Sequence, residues 1–79
     1  MEVELKLYAS LARHMPDGMG VKPCIMEISE GTRIRELLKH LEVPVNAVKL
    51  IFLNGIHAGG DEILQEGDRL GVFPPVAGG

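Results

Sequence analysis

Val3, Leu5 and Leu7 alternate with Glu2, Glu4, Lys6 and Tyr8 at the start of the chain. A period of two puts the apolar set on one face of extended backbone, so this stretch is predicted to be a half-buried β-strand. Residues 9–15 (Ala-Ser-Leu-Ala-Arg-His-Met) have helix-compatible composition, with Ser10 as a candidate cap. The stretch stops at Pro16, so one or two helical turns are expected. Pro16-Asp17-Gly18-Met19-Gly20 has the chemistry of a turn. A second strand is predicted over 24–29, closed by Glu30-Gly31.

The period then lengthens. Ile34, Leu37, Leu38 and Leu41 fall at i, i+3, i+4 and i+7, which predicts one amphipathic helix with Thr32 as its N-cap and Pro44 as its stop. Arg33, Arg35, Glu36, Lys39 and His40 occupy its other face, with Lys39 and His40 in the last turn, where the helix dipole favours cations. Residues 48–53 form an apolar strand. Asn54-Gly55 suits a type I′ hairpin turn, whose two central residues need positive φ, before a short return strand over Ile56–Ala58. Ile63-Leu64 is expected to dip into the core, Glu66-Gly67-Asp68 to turn, and Arg69–Phe73 to form the last strand.

A single substantial helix must lay its apolar stripe across one face of a mixed sheet. A helical crossover between terminal strands allows those strands to pair in parallel at the sheet centre. The expected fold is α+β: a β-grasp, ubiquitin-like sheet of about five strands, one main helix on one face, and a short helix after the first strand. Residues 1–73 would form the domain and 74–79 an extended tail.

Composition narrows the function. The chain has 79 residues, enough for one small core, and only Tyr8, Phe52 and Phe73 are aromatic, so that core must be aliphatic. A net charge of −3, with eight scattered Lys and Arg residues, argues against nucleic-acid binding. One cysteine, Cys24, forms no disulfide framework and is read as a small apolar strand residue. His14, His40 and His57 have no ligand spacing, so no metal is expected. Neither a membrane span nor a signal peptide is evident, and a cytoplasmic protein is expected.

The remaining chemistry lies in Phe73-Pro74-Pro75-Val76-Ala77-Gly78-Gly79. Two prolines favour an extended exit from the last strand. Two glycines remove every Cβ from the final stretch, so that backbone and carboxylate could enter a narrow slot. By strand alternation Lys6, Tyr8, Arg69, Gly71 and Phe73 point away from the helix, with Phe73 as an exposed docking anchor beside the tail root. Asp61, Glu62 and Glu66 are weaker candidates for contact with a basic partner surface.

Several pieces in this order resemble a known family. They are the opening strand into Tyr8-Ala9-Ser10-Leu11-Ala12-Arg13, Gly31-Thr32 before a Leu-Leu helix, and Leu53-Asn54-Gly55. Glu66-Gly67-Asp68-Arg69-Leu70 and the Phe-Pro-Pro-Val-Ala-Gly-Gly ending complete the set. Together they are similar to the MoaD/ThiS family of ubiquitin-like sulfur carriers, and most to the small subunit of molybdopterin synthase. The 9–15 insertion favours the molybdopterin branch over the thiamine branch. The resemblance implies that the Gly79 carboxylate is adenylated with ATP by a separate enzyme and converted by a sulfur donor to a thiocarboxylate. Gly78 would give the tail access to that enzyme's site. Tyr8, Arg69, Phe73, Pro74, Pro75, Val76 and Ala77 would contact partners: the adenylating enzyme, a molybdopterin synthase large subunit and the sulfur donor. The chain would bind no cofactor, nucleic acid or membrane, and would be non-catalytic alone. Carriage of sulfur to thiazole, cysteine or tRNA, and conjugation to protein lysines through Gly79, are the alternatives.

Overall fold

A computed structural model describes residues 1–16 and 22–75. Five strands form one sheet: β1 (Glu2–Leu7), β2 (Cys24–Glu27), β3 (Leu50–Leu53), β4 (Ile56–Ala58) and β5 (Arg69–Phe73). Their spatial order is β2-β1-β5-β3-β4. β1 and β5 pair in parallel, with Leu5 opposite Leu70 and Leu7 opposite Val72, and every other pairing is antiparallel. The α1 helix (Ile34–His40) supplies Ile34, Leu37 and Leu38 to the core, which the sheet completes with Val3, Leu5, Leu7, Ile51, Ala58, Leu70 and Val72. This is the β-grasp architecture.

No aromatic residue is among the buried core residues, which are aliphatic apart from Met15. Met15 is 3 % exposed, and its sulfur accepts the Leu7 N–H at 3.3 Å. The β1–β2 register ends at Leu5 opposite Cys24. Leu7 is therefore beyond the ladder, and the thioether takes a donor that burial would otherwise strand.

Several local expectations shift. The turn after β1 is a 3-10 helix (Ala9–His14) closed by i→i+3 bonds from Leu11 to Tyr8 and from Met15 to Ala12. Tyr8 rather than Ser10 occupies its cap position. Thr32 does not cap α1, because its hydroxyl donates to the Ser29 carbonyl at 2.7 Å. Backbone exchange between Thr32–Ile34 and Glu62–Leu64 holds the chain extended one residue longer, so Arg33 becomes the N-cap. Glu36 then reaches back to accept the Arg33 N–H at 2.8 Å.

The helix stops well before Pro44. Glu42 takes a left-handed φ of 62°, and the Val43 and Glu42 amides close on the Leu38 and Lys39 carbonyls, a Schellman ending. The hairpin follows expectation, with φ of 54° at Asn54 and 82° at Gly55. Of the Ile63-Leu64 pair only Leu64 enters the core, while Ile63 is 47 % exposed, since neighbours on extended backbone face opposite ways. The strands predicted over 24–29 and 48–53 begin or end two residues inside those bounds. Most of the predicted 16–20 turn lies outside the described residues.

Candidate functional site

β5 lies at the sheet centre, and its residues alternate strictly. Leu70 and Val72 are buried on the helix side, whereas Arg69, Gly71 and Phe73 face outward. Tyr8 sits one residue beyond β1, and its N–H donates to the Val72 carbonyl at 3.0 Å. That bond brings its ring over the end of β5. The Tyr8 and Phe73 rings stack with centroids 4.1 Å apart and planes 8° from parallel. Phe52, on the outer face of β3, meets Phe73 edge-on at 5.8 Å and 89°. Lys6 Nζ lies 5.6 Å from the centre of the Tyr8 ring, a cation–π contact worth about 0.5–1 kcal/mol at an exposed site.

All three aromatic residues of the chain thus gather at the root of the tail. Phe73 is held there by two rings and by its carbonyl, which accepts the Lys49 N–H at 2.8 Å. It is half-buried rather than the freely exposed anchor expected from alternation. The outer face at the tail root presents a block of three rings, and Phe52 is the member that sequence reasoning missed. The signal was available: an outward Phe52 opposite an outward Gly71 follows from pairing an alternating β3 with an alternating β5.

Gly71 gives the block its fit. A Cβ at this position would lie 3.4 Å from Tyr8 Cε2 and 3.9 Å from a Phe73 ring carbon. Alanine would just fit, whereas a branched side chain would push the Tyr8 ring aside. Tyr8 is the only tyrosine and there is no tryptophan, so its signals report the stack without interference. In Gly71→Val the upfield ring-current shifts of the Tyr8 ring protons should collapse, while Gly71→Ala retains most of them; proton NMR of the two variants checks this.

The other expected contact residues separate. Pro74 is half-buried and Pro75 exposed, directly beyond the block. Arg69 is exposed at the opposite end of β5, about 13 Å away at strand rise. Its backbone N–H is accepted by Asn54 Oδ1 at 2.9 Å, and Asn54 Nδ2 donates to Asp68 Oδ1 at 3.0 Å. Val76, Ala77, Gly78 and Gly79 lie outside the described residues.

The acidic candidates are engaged within the fold. Asp61 pairs with Arg35 at 2.7 Å, and Glu66 accepts the Glu2 N–H at 2.9 Å. Glu62 accepts the Gly59 and Gly60 amides at 2.9 and 2.8 Å. The Gly59 amide, with those of Glu62 itself and Gly60, holds the Glu62 carboxyl below its ordinary 4.5. A depressed folded-state pKa stabilises the fold above the unfolded value, and this contribution fades as pH falls through the folded value. Glu62→Gln should therefore melt below the parent near neutral pH, with the gap closing in acid below about 4.5; melting curves across that range check it.

Cys24 is half-buried against the core. Among the described residues no group of three or more His, Cys, Asp and Glu could hold a metal ion, and no helix is long and apolar enough to cross a membrane.

The profile of the ThiS family matches residues 21–79. The chain belongs to the ThiS family. Solved structures agree with that membership. A Pyrococcus furiosus protein assigned as subunit 1 of molybdopterin converting factor is 30% identical, with 96% of this chain and 99% of that one covered at a TM-score of 0.71. SAMP1 from Haloferax volcanii shares the fold at 24% identity and a TM-score of 0.73, each chain covered in full. The same fold recurs in a complex of subunits 1 and 2 of molybdopterin-converting factor from Helicobacter pylori, at 20% identity, full coverage of both chains and a TM-score of 0.63. No curated protein matches the chain. This β-grasp domain thus belongs to a family of ubiquitin-like sulfur carriers.

Proposed function

We propose that this protein carries sulfur as a thiocarboxylate on Gly79, and that the acceptor pathway builds molybdopterin. The observation that carries the reading is the aromatic block at the end of β5: the fold fixes the tail root with three rings and a backbone bond, then releases the chain through Pro74-Pro75. Family membership and the likeness to the Pyrococcus furiosus subunit support it.

A terminal carboxylate ionises near pH 3.5, so at neutral pH it is an anion that sulfur nucleophiles do not attack. Attack of a Gly79 oxygen on the α-phosphate of ATP, held by a separate adenylating enzyme, releases pyrophosphate and leaves an acyl-adenylate. A sulfur donor then displaces AMP, and the product is a soft, ionised nucleophile. A side chain at 78 or 79 would crowd both approaches. The chain's part is presentation: the domain docks, and the spacer carries the reacting carbon into the partner. Tyr8, Phe52 and Phe73 form the apolar surface for that docking, Lys6 borders it, and Arg69 would meet a partner only at the far end of β5.

A large subunit that accepts the charged tail is part of the same reading, supported by the like-folded subunit 1 seen in complex with subunit 2. Pyrophosphate release by the cognate adenylating enzyme, measured against protein concentration, tests the docking step. Phe73→Ala should raise KM for the carrier about 10-fold or more, as loss of a central aromatic anchor does, with a smaller effect on kcat. An unchanged KM would remove the block from the docking surface.

A further inference from the structure

The sheet has a second apolar opening, on the helix side and away from the aromatic block. It is a groove of about 810 Å³ between α1 and the β3–β4 edge. Leu38, Val43, Val48, Ile51 and Ala58 line its floor. Val45, 91 % exposed, forms an apolar lip. Ile51 and Phe52 are neighbours on one strand and point to opposite faces, so the groove and the aromatic block can be occupied together.

The rim carries the opposite charge to the chain as a whole. Arg35, Lys39 and Lys49 border the groove against one lining carboxylate, Glu42, in a protein of net charge −3. Arg35 is paired with Asp61, whereas Lys39 and Lys49 form no ion pair among the described residues and are exposed. The groove on the other flank of α1 is smaller, about 590 Å³, and is bordered by Glu27, Glu30 and Glu36. The helix therefore separates an acidic opening from a basic one. With Arg35 paired to Asp61, Lys39 and Lys49 outnumber Glu42 on this rim, and of the two openings this one joins an aliphatic floor to a net positive border.

We propose that this groove is a second docking site, and that its occupant is a short segment of a partner protein whose aliphatic side chains fill the floor while flanking carboxylates meet Lys39 and Lys49. A floor without an aromatic ring offers no platform for a nucleobase. The size falls within the range of about 300–1,000 Å³ that encloses small ligands, enough for a few side chains but not a folded domain. The site extends beyond sulfur carriage and does not depend on it. Lys49 also donates its N–H to the Phe73 carbonyl, so a segment leaving the groove at that end runs toward the tail root. A partner could hold the carrier by its helix side while the outer face and tail engage another surface.

The test uses the full-length protein, labelled with nitrogen-15, and a synthetic peptide with a Leu-Val-Ile-Leu centre between paired aspartates. The peptide should shift the amides of Val43, Ile51 and Ala58 saturably and leave Gly71 unmoved. Lys39→Glu/Lys49→Glu should weaken binding at least about tenfold while the fold stays intact, its melting temperature falling by no more than about 8 °C because Lys39 sits in the last turn of α1, and added salt should weaken binding too. An analogue with asparagine in place of aspartate should bind more weakly than the acidic peptide. Equal binding of that analogue, equal binding by the charge-reversed protein, shifts centred on Gly71, or no saturable shift by about 1 mM peptide would each overturn the proposal.

Discussion

Deletion of Gly79 is expected to lower carrier activation by at least about 100-fold while leaving the melting temperature unchanged. The shortened chain still ends in a glycine carboxylate, the same functional group, but its reacting carbon stands about 3.5 Å short of its former reach. Reaction in an enclosed site depends steeply on placement, and a displacement of about 1 Å can cost about 100-fold. The melting temperature is expected to hold because, among the described residues, the buried core ends at Val72. Activity lost together with stability would point to a structural role for the tail. Activity retained would show that the Gly78 carboxylate reacts as well, so the reach set by Gly79 does not limit activation. Turnover with the cognate adenylating enzyme and a melting curve on the same sample separate these results.

Leu5→Ala is expected to act the opposite way, through the fold alone. Leu5 is fully buried in β1, pairs with Leu70 across the parallel ladder and belongs to the cluster that α1 covers. Truncating a buried leucine costs about 2–5 kcal/mol, from lost transfer free energy and the cavity left behind. Domain stability is about 5–15 kcal/mol in general, and a 79-residue chain belongs toward the lower end. A loss near 3 kcal/mol would lower the melting temperature by about 12–24 °C. Val45→Ala, at a residue 91 % exposed, serves as the control and should leave the melting temperature within a degree or two. Thermal unfolding by circular dichroism decides between the two sites.

The contrast shows which parts of the molecule were legible from sequence. The period of two in β1 and of 3.6 in α1 records burial directly, since each apolar residue must face the same core. The central parallel pairing of β1 with β5 followed, because one helix and one small core leave few alternatives. Boundaries were less legible. Thr32 was a chemically good N-cap, but its hydroxyl is taken by Ser29 and the Arg33–Ile63 bridge delays the helix. Ser29 is a local competitor three residues away, whereas the Ile63 bridge is long-range, and local propensity carries no record of it. Glu42 is similar: a non-glycine residue in the left-handed region is held there by the Schellman bonds of its neighbours, and nothing in its side chain announces it.

The site divides along the same line. Outward Tyr8 and Phe73 follow from alternation, but their stacking does not. It needs the parallel register of β1 on β5, the Tyr8–Val72 bond and the missing Cβ at Gly71. Phe52 enters the block through the register of β3 on β5. Those are long-range facts, and they convert an anchor residue into a preorganised surface. Preorganisation reduces the ordering cost of binding, which under the proposed function would serve a carrier that docks, reacts and leaves.

The intact mass of the protein tests the central claim most directly. After incubation with ATP, the cognate adenylating enzyme and a sulfur donor, one oxygen of the Gly79 carboxylate should be exchanged for sulfur, a gain of about 16 Da that is absent from the chain lacking Gly79. An unchanged mass under conditions in which the enzyme releases pyrophosphate, or covalent attachment of Gly79 to protein lysines in place of that gain, would contradict it.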